Sequence, residues 1–231
     1  MQNPAAIQVL ERVLQDEAEN PMVRHEAGEA LGAIGNESSL PLLEKYSESE
    51  CAVVRETCQI AAERIRRSKE EAILPGKIYD SVDPTPAGNV ALSPLELGEI
   101  LMNSSLPLYD RYKAMFALRD KGGEESVLQL VRGLFDQNSA LFRHEVAYVL
   151  GQMQHPASVP GLIKCLEVEN EVDMVRHECA EALGSIASDE VLPILQKFKN
   201  DKQTVVKESC LVALDIFEYE NSNQLHYATM N

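Results

Sequence analysis

The sequence predicts an all-α fold, an α-solenoid of stacked helix pairs, from three observations. The first is a register of basic residues at near-constant spacing. Arg111, Arg143, Arg176 and Lys207 follow one another at intervals of 32, 33 and 31 residues, and Arg24 and Arg55 lie 31 apart. The second is periodicity: each basic residue is followed by Ala and Leu or Ile at helical spacing and preceded by another apolar-periodic segment. A fixed period near 30 with two helices per unit marks proteins whose repeats bury their apolar faces only by stacking. The third is composition. Tryptophan is absent and aromatics make up 5%, against 45% hydrophobic residues, a balance that suits small-residue helix packing better than a sheet.

Six helix pairs are expected. AAIQVLERVL and the segment around Arg24 form the first (4–35), and LPLLEKY with the segment around Arg55 forms the second (37–66). YKAMFALRD belongs to the third (94–122) and ESVLQLVRGLF opens the fourth (124–155). VPGLIKCL opens the fifth (156–187), while EVLPILQKF and ESCLVALDIF form the sixth (189–218). Between the second and third pairs, LPGK and SVDPTPAG carry a Pro and Gly density that breaks helices. The expected organisation is therefore repeats in 1–66, a connector in 67–93, repeats in 94–218 and a polar tail in 219–231.

A longer period lies above the short one. Moving Met1–Pro4 (MQNP) onto Met153–Pro156 (MQHP) also brings Met22–Glu26 onto Met174–Glu178, with about two positions in five identical as far as residue 65. The two halves read as a duplication. Because the C-terminal half holds two further repeats before that match, symmetry leads us to expect two more repeats upstream of Met1. These should include a fourth His-Glu pair.

Composition excludes several functions. A formal net charge of −16 argues against a nucleic-acid ligand, which requires a cationic footprint, and favours a cationic partner. No apolar run approaches the ~18 residues of a membrane span. The five cysteines form no CxxC, and Cys58, Cys179 and Cys210 fall inside helical patterns as small buried thiols. A cytoplasmic location is expected, and a monomer.

Three near-copies of one peptide carry the chemistry: VRHEAGEALGAIG (Val23–Gly35), FRHEVAYVLGQMQ (Phe142–Gln154) and VRHECAEALGSIA (Val175–Ala187). They place His25-Glu26, His144-Glu145 and His177-Glu178 at one register position and use three of five histidines. Equivalent positions of stacked repeats lie about 10 Å apart on one face. Two imidazoles and a carboxylate from adjacent helices make the facial set that suits non-haem Fe(II), although the ligand types also admit Zn or Mn. Glu29 and Glu181 follow their histidines by one helical turn, either to orient the imidazoles from behind or as ordinary surface glutamates. The small residues after each pair (Gly28, Gly32, Gly184) imply close approach of a neighbouring helix or of a substrate.

With these peptides, the SVDPTPA segment, YDRYKAMFALRDKGGEES and the VVKESC helix in hand, the chain resembles the deoxyhypusine hydroxylases, HEAT-repeat di-iron monooxygenases. The resemblance implies hydroxylation of the deoxyhypusine side chain of a translation factor, with two Fe2+ per intact enzyme. It implies that His144, His177 and Glu178 hold one iron and that His25 and Glu26 supply part of the other site. It further implies a role for Glu145 towards the substrate amine or behind the metal ligands, and for Gly151 in substrate approach. The family carries four His-Glu pairs where this chain has three, so the second iron site is expected to be incomplete. The alternative is a non-catalytic HEAT-repeat adaptor that binds a basic protein segment.

Overall fold

The computed structural model describes residues 2–68 and 79–222, and within these the regular structure is helical throughout. LPGK and the rest of 69–78 fall outside the described part of the expected connector, as do residues 223–231 of the expected tail. The helices are α1 (Ile7–Gln15), α2 (Pro21–Ile34), α3 (Leu40–Tyr46), α4 (Ala52–Arg67), α5 (Pro94–Met102) and α6 (Leu108–Lys121). They continue with α7 (Gly123–Gly133), α8 (Ala140–Met153), α9 (Val159–Leu166), α10 (Asp173–Ile186), α11 (Leu192–Phe198) and α12 (Thr204–Glu220). The last helix continues slightly beyond 218, the expected end of the final repeat.

Local chemistry sets the helix ends. Asn20 caps α2, accepting from the Met22 amide, and Pro21 sits where a missing N–H costs nothing. Ser93 and Glu96 form a reciprocal capping box on α5. The Ser139 hydroxyl caps α8. At the C-terminal ends of α2, α8 and α10 the chain turns through the left-handed region at Gly35, Gln154 and Ala187.

The basic residues that mark the repeat turn out to be clamps within it. Arg24 Nε donates to the Leu14 carbonyl (3.0 Å), Arg111 Nε to Leu101 (2.8 Å) and Arg176 Nε to Leu166 (2.9 Å). Each guanidinium thus satisfies a carbonyl at the end of its repeat's first helix, where no helical partner remains. The outer nitrogens reach onward to an acid in the loop that follows: Arg111 to Asp136, Arg143 to Glu171 and Arg176 to Asp201, each at 2.6 Å. In Arg111 and Arg176 one side chain therefore fixes both the angle within a pair and the spacing to the next.

Helices stack in series, α2 on α4, α8 on α10 and α10 on α12, and α4 meets both α6 and α8 where the two halves join. Each half has its own apolar cluster. Leu14, Leu31, Leu43 and Val54 centre one; Met115, Phe142, Leu150 and Leu183 belong to the other. Close approach is bought with glycine: a Cβ on Gly184 would stand 2.6 Å from Ala213 Cα, so α10 and α12 touch backbone to backbone.

Ala187 occupies the left-handed cap (φ 52°) where the first half has Gly35. That conformation costs an L-residue about 1–2 kcal/mol, and glycine's extra freedom in the unfolded chain returns up to about 1 kcal/mol of it. Ala187→Gly should therefore stabilise the protein by about 0.5–1 kcal/mol, read as an upward shift in the thermal midpoint.

Candidate metal centre

Stacking brings the three histidine-bearing helices together at the joint between the halves. The His25 ring (α2) meets the His144 ring (α8) edge-on at a centroid distance of 5.5 Å, and His144 meets His177 (α10) at 5.5 Å. One ligand atom from each of His144, His177 and Glu178 lies within 4.8 Å of the other two. His144 Nε2 is 3.4 Å from Glu178 Oε2. His144 and Glu178 are buried and His177 nearly so.

Hydrogen bonds fix the ring orientations. The Thr57 hydroxyl donates to the Val53 carbonyl (2.8 Å), so its 2.8 Å contact with His25 Nδ1 has the ring N–H donating to Thr57 Oγ1. His25 Nε2 is then a bare lone pair, and it has no hydrogen-bond partner among the described residues. Burial, reinforced by repulsion from His144 and His177, pushes the His25 pKa down to about 3 and keeps the ring neutral. At His177 the same device recurs. Nδ1 faces Glu181 Oε1 (3.4 Å), which the Ser209 hydroxyl also contacts at 2.8 Å, leaving Nε2 directed away.

The carboxylates add a second feature. Burial, helped by Glu26, pushes Glu29 up to about 7, while burial together with Glu29 and Glu178 raises Glu145 well above the ordinary carboxylate range. For His144, burial acts to lower the pKa, but the Glu178 hydrogen bond and charge outweigh it and raise the value. Crowded carboxyls that hold protons, beside a neutral His25 with an idle lone pair, are a set that a cation would relieve. A buried unsatisfied nitrogen alone costs about 1–3 kcal/mol. The donor set fits a divalent metal at His144, His177 and Glu178.

The structure places the remaining expected site residues as follows. Glu26 is largely in solvent, with its side chain 69% exposed and Oε1 3.7 Å from His25 Nε2. Glu29 was expected either behind the imidazole or as an ordinary surface glutamate; Thr57 holds the side behind the ring, and Glu29 Oε2 lies 3.8 Å from Nε2, the lone-pair side. Gly151, linked by resemblance to substrate approach, is instead packed against α10: a Cβ there would lie 3.0 Å from Ala182 Cα. Glu145 is buried beside His144, and Glu181 supports His177.

Thr57 and Ser209 are functional candidates that the sequence reading passed over. Each occupies the glutamate position of a repeat without a His-Glu pair, and each contacts the histidine of the repeat before it. Glu178 stands in the same relation to His144. The signal was available in the register: this position always faces the preceding histidine.

A HEAT-repeat family model matches residues 1–63 and 127–215. The deoxyhypusine hydroxylase of Candida albicans is 54% identical over 96% of this chain and 72% of its own length; that of Danio rerio is 54% identical over 99% and 76%. The solved structure of human deoxyhypusine hydroxylase in complex with glycerol superposes with a TM-score of 0.91 at 50% identity, covering 94% of this chain and 75% of that one. The chain belongs to the deoxyhypusine hydroxylase family. The fold it shares with the human hydroxylase is the α-solenoid that assembles the three histidines.

Replacing the oxygen partner of a ligand histidine typically lowers metal affinity about 10–100-fold. Thr57→Val should do so on the His25 side and leave the His144/His177/Glu178 set unchanged, as read by cobalt titration followed by absorbance. On the His25 side, affinity should also fall as pH drops through about 7, because Glu29 must lose its proton to face the ion with a charge.

Proposed function

We propose that this chain hydroxylates the deoxyhypusine side chain of a translation-factor protein at a non-haem iron centre. The observation that carries the reading is the convergence of His144, His177 and Glu178 within one ligand sphere, beside the bare Nε2 of His25. Iron held by the first three residues would supply the activation of dioxygen that attack on an aliphatic C–H bond requires. His25, with Glu29 and Glu26 at 3.7–3.8 Å from its Nε2, is the chain's contribution to a second iron position.

The remaining chemistry belongs to the protein. Deoxyhypusine is an extended polyamine cation, and Glu145 and Glu29 are carboxyl groups that ionise most readily when a cation arrives to offset their crowding. Glu145, buried between the metal-facing helices, is the group to receive the substrate amine. The net charge of −16 draws a basic protein towards the site from a distance. Ile60, Ala61, Pro84, Tyr112 and Leu141, with Arg64, line a narrow cleft beside His25 and Glu29 and give this side of the centre a largely apolar wall. The adaptor reading gives these buried, unpartnered imidazole nitrogens no role.

The protein purified from iron-supplemented cells should contain iron and convert deoxyhypusine-bearing substrate to hypusine by mass spectrometry. His177→Ala should lose both the iron at this set and the turnover. Glu145→Gln should keep its iron and raise KM by about tenfold or more, the ~1.5–3 kcal/mol scale of a charge-assisted hydrogen bond. A metal-free wild-type protein that binds the substrate equally well would instead favour the adaptor.

A further inference from the structure

Between the metal-facing helices and the connector lies a buried guanidinium that the reaction chemistry leaves unused. Arg119 on α6 is 3% exposed and stacked between the rings of Tyr79 (4.5 Å) and Phe116 (4.8 Å). Its Nη1 and Nη2 each donate to an oxygen of Asp83 in the connector at 2.8 Å. Nη1 also donates to Gln152 Oε1 on α8 (2.9 Å), and Nε to its neighbour Asp120 (2.9 Å).

One arm ends at the cleft beside His25, the other on the helix that carries His144. Asp83 is further held by the Ser81 hydroxyl (2.6 Å) and by Arg64 of α4, whose Nη1 donates to the Asp83 carbonyl. Arg64 and Pro84, the residue after Asp83, both line the cleft beside His25 and Glu29. On the other arm, Gln152 Nε2 donates to the Tyr148 hydroxyl at 3.2 Å, and Tyr148 sits one helical turn beyond His144. A single planar fork therefore ties the wall of the His25 cleft to the helix that carries His144. Helix packing alone would not require this. A buried ion pair is often no more stabilising than apolar side chains of similar volume, and its better-attested use is to specify one arrangement.

We infer that Arg119 is a positioning residue that sets the His25 half of the centre against the His144 half through Asp83 and Gln152. The inference rests on the hydroxylase reading for its kinetic consequence, but the geometry it asserts does not depend on catalysis. Lysine cannot make the bidentate contact. Arg119→Lys should therefore shift the two halves while sparing the His144/His177/Glu178 set, all of which lies on α8 and α10.

The test compares wild type, Arg119→Lys and Leu195→Ala, the last a buried α11 change chosen to lose comparable thermal stability away from the centre. In crystals of the metal-free proteins, the His25–His144 separation should exceed 5.5 Å by about 1 Å in Arg119→Lys only. With iron, kcat should fall by up to about 100-fold, the scale of a 1 Å misplacement, with KM and bound iron within twofold of wild type. Leu195→Ala should keep its kcat. Should Arg119→Lys fail to fold, Gln152→Leu cuts the α8 arm alone and should lower kcat in the same direction. An unchanged ring separation, or a kcat loss matched by Leu195→Ala, overturns the inference. A wild-type protein without turnover would instead refute the hydroxylase reading and leave the separation measurement to decide this one.

Discussion

The contact on which the rest of the structure depends is the meeting of His25 with His144, ring edge to ring face, across the joint between the two halves. Repeats stacked in register would place histidines in rows in any case. Only the closing of one half onto the other turns a row of two, His144 and His177, into a cluster of three with carboxylates around it. The Arg clamps hold each repeat at its angle, the glycines let α10 and α12 close on one another, and the strap around Asp83 ties the connector to both halves. These features have no chemistry of their own. They fix where imidazole nitrogens point.

Electrostatics at the joint is held in suspense. A neutral His25 with an unused lone pair sits beside glutamates that keep their protons well into the neutral range. Without a cation, the cluster avoids mutual repulsion by staying protonated. A metal ion or a substrate ammonium changes that balance, releasing protons as it binds. Binding of ion and of polyamine thus draws on the same store of unfavourable proximity. Glu145 and Glu178, unlike the buried Asp83 and Asp136, have no arginine partner among the described residues to offset them.

Much of this was legible in the sequence, for definable reasons. The 31–33-residue register and the Met1-to-Met153 match gave the solenoid and its halves, because a stacked repeat must reuse its spacing. The same basic residues served as a ruler, but periodicity could not show that Arg111 or Arg176 reaches back to a helix-end carbonyl and forward to an acid. His25, His144 and His177 were legible as a set because they stood in one register. Glu29 was legible as a neighbour of His25 but not as facing its Nε2, because a helical turn of spacing says which face a side chain shares but not which ring nitrogen it meets. Thr57 showed itself only through the register of the glutamate position. Gly151 carries a packing role that the sequence did not reveal. A glycine near a site invites a reading about substrate, whereas its open side is filled by Ala182. Arg119 gave no signal at all: its partners lie 33 and 36 residues away in sequence, and Asp83 belongs to the connector rather than to a repeat.

The most direct test of the account is a crystal structure of the iron-loaded chain with data collected on both sides of the iron absorption edge. An anomalous peak equidistant from the side chains of His144, His177 and Glu178, with His25 Nε2 turned towards the same pocket, is the predicted result. Iron bound only at residues other than these and His25, or no peak with the His144 and His177 rings unmoved, would contradict it.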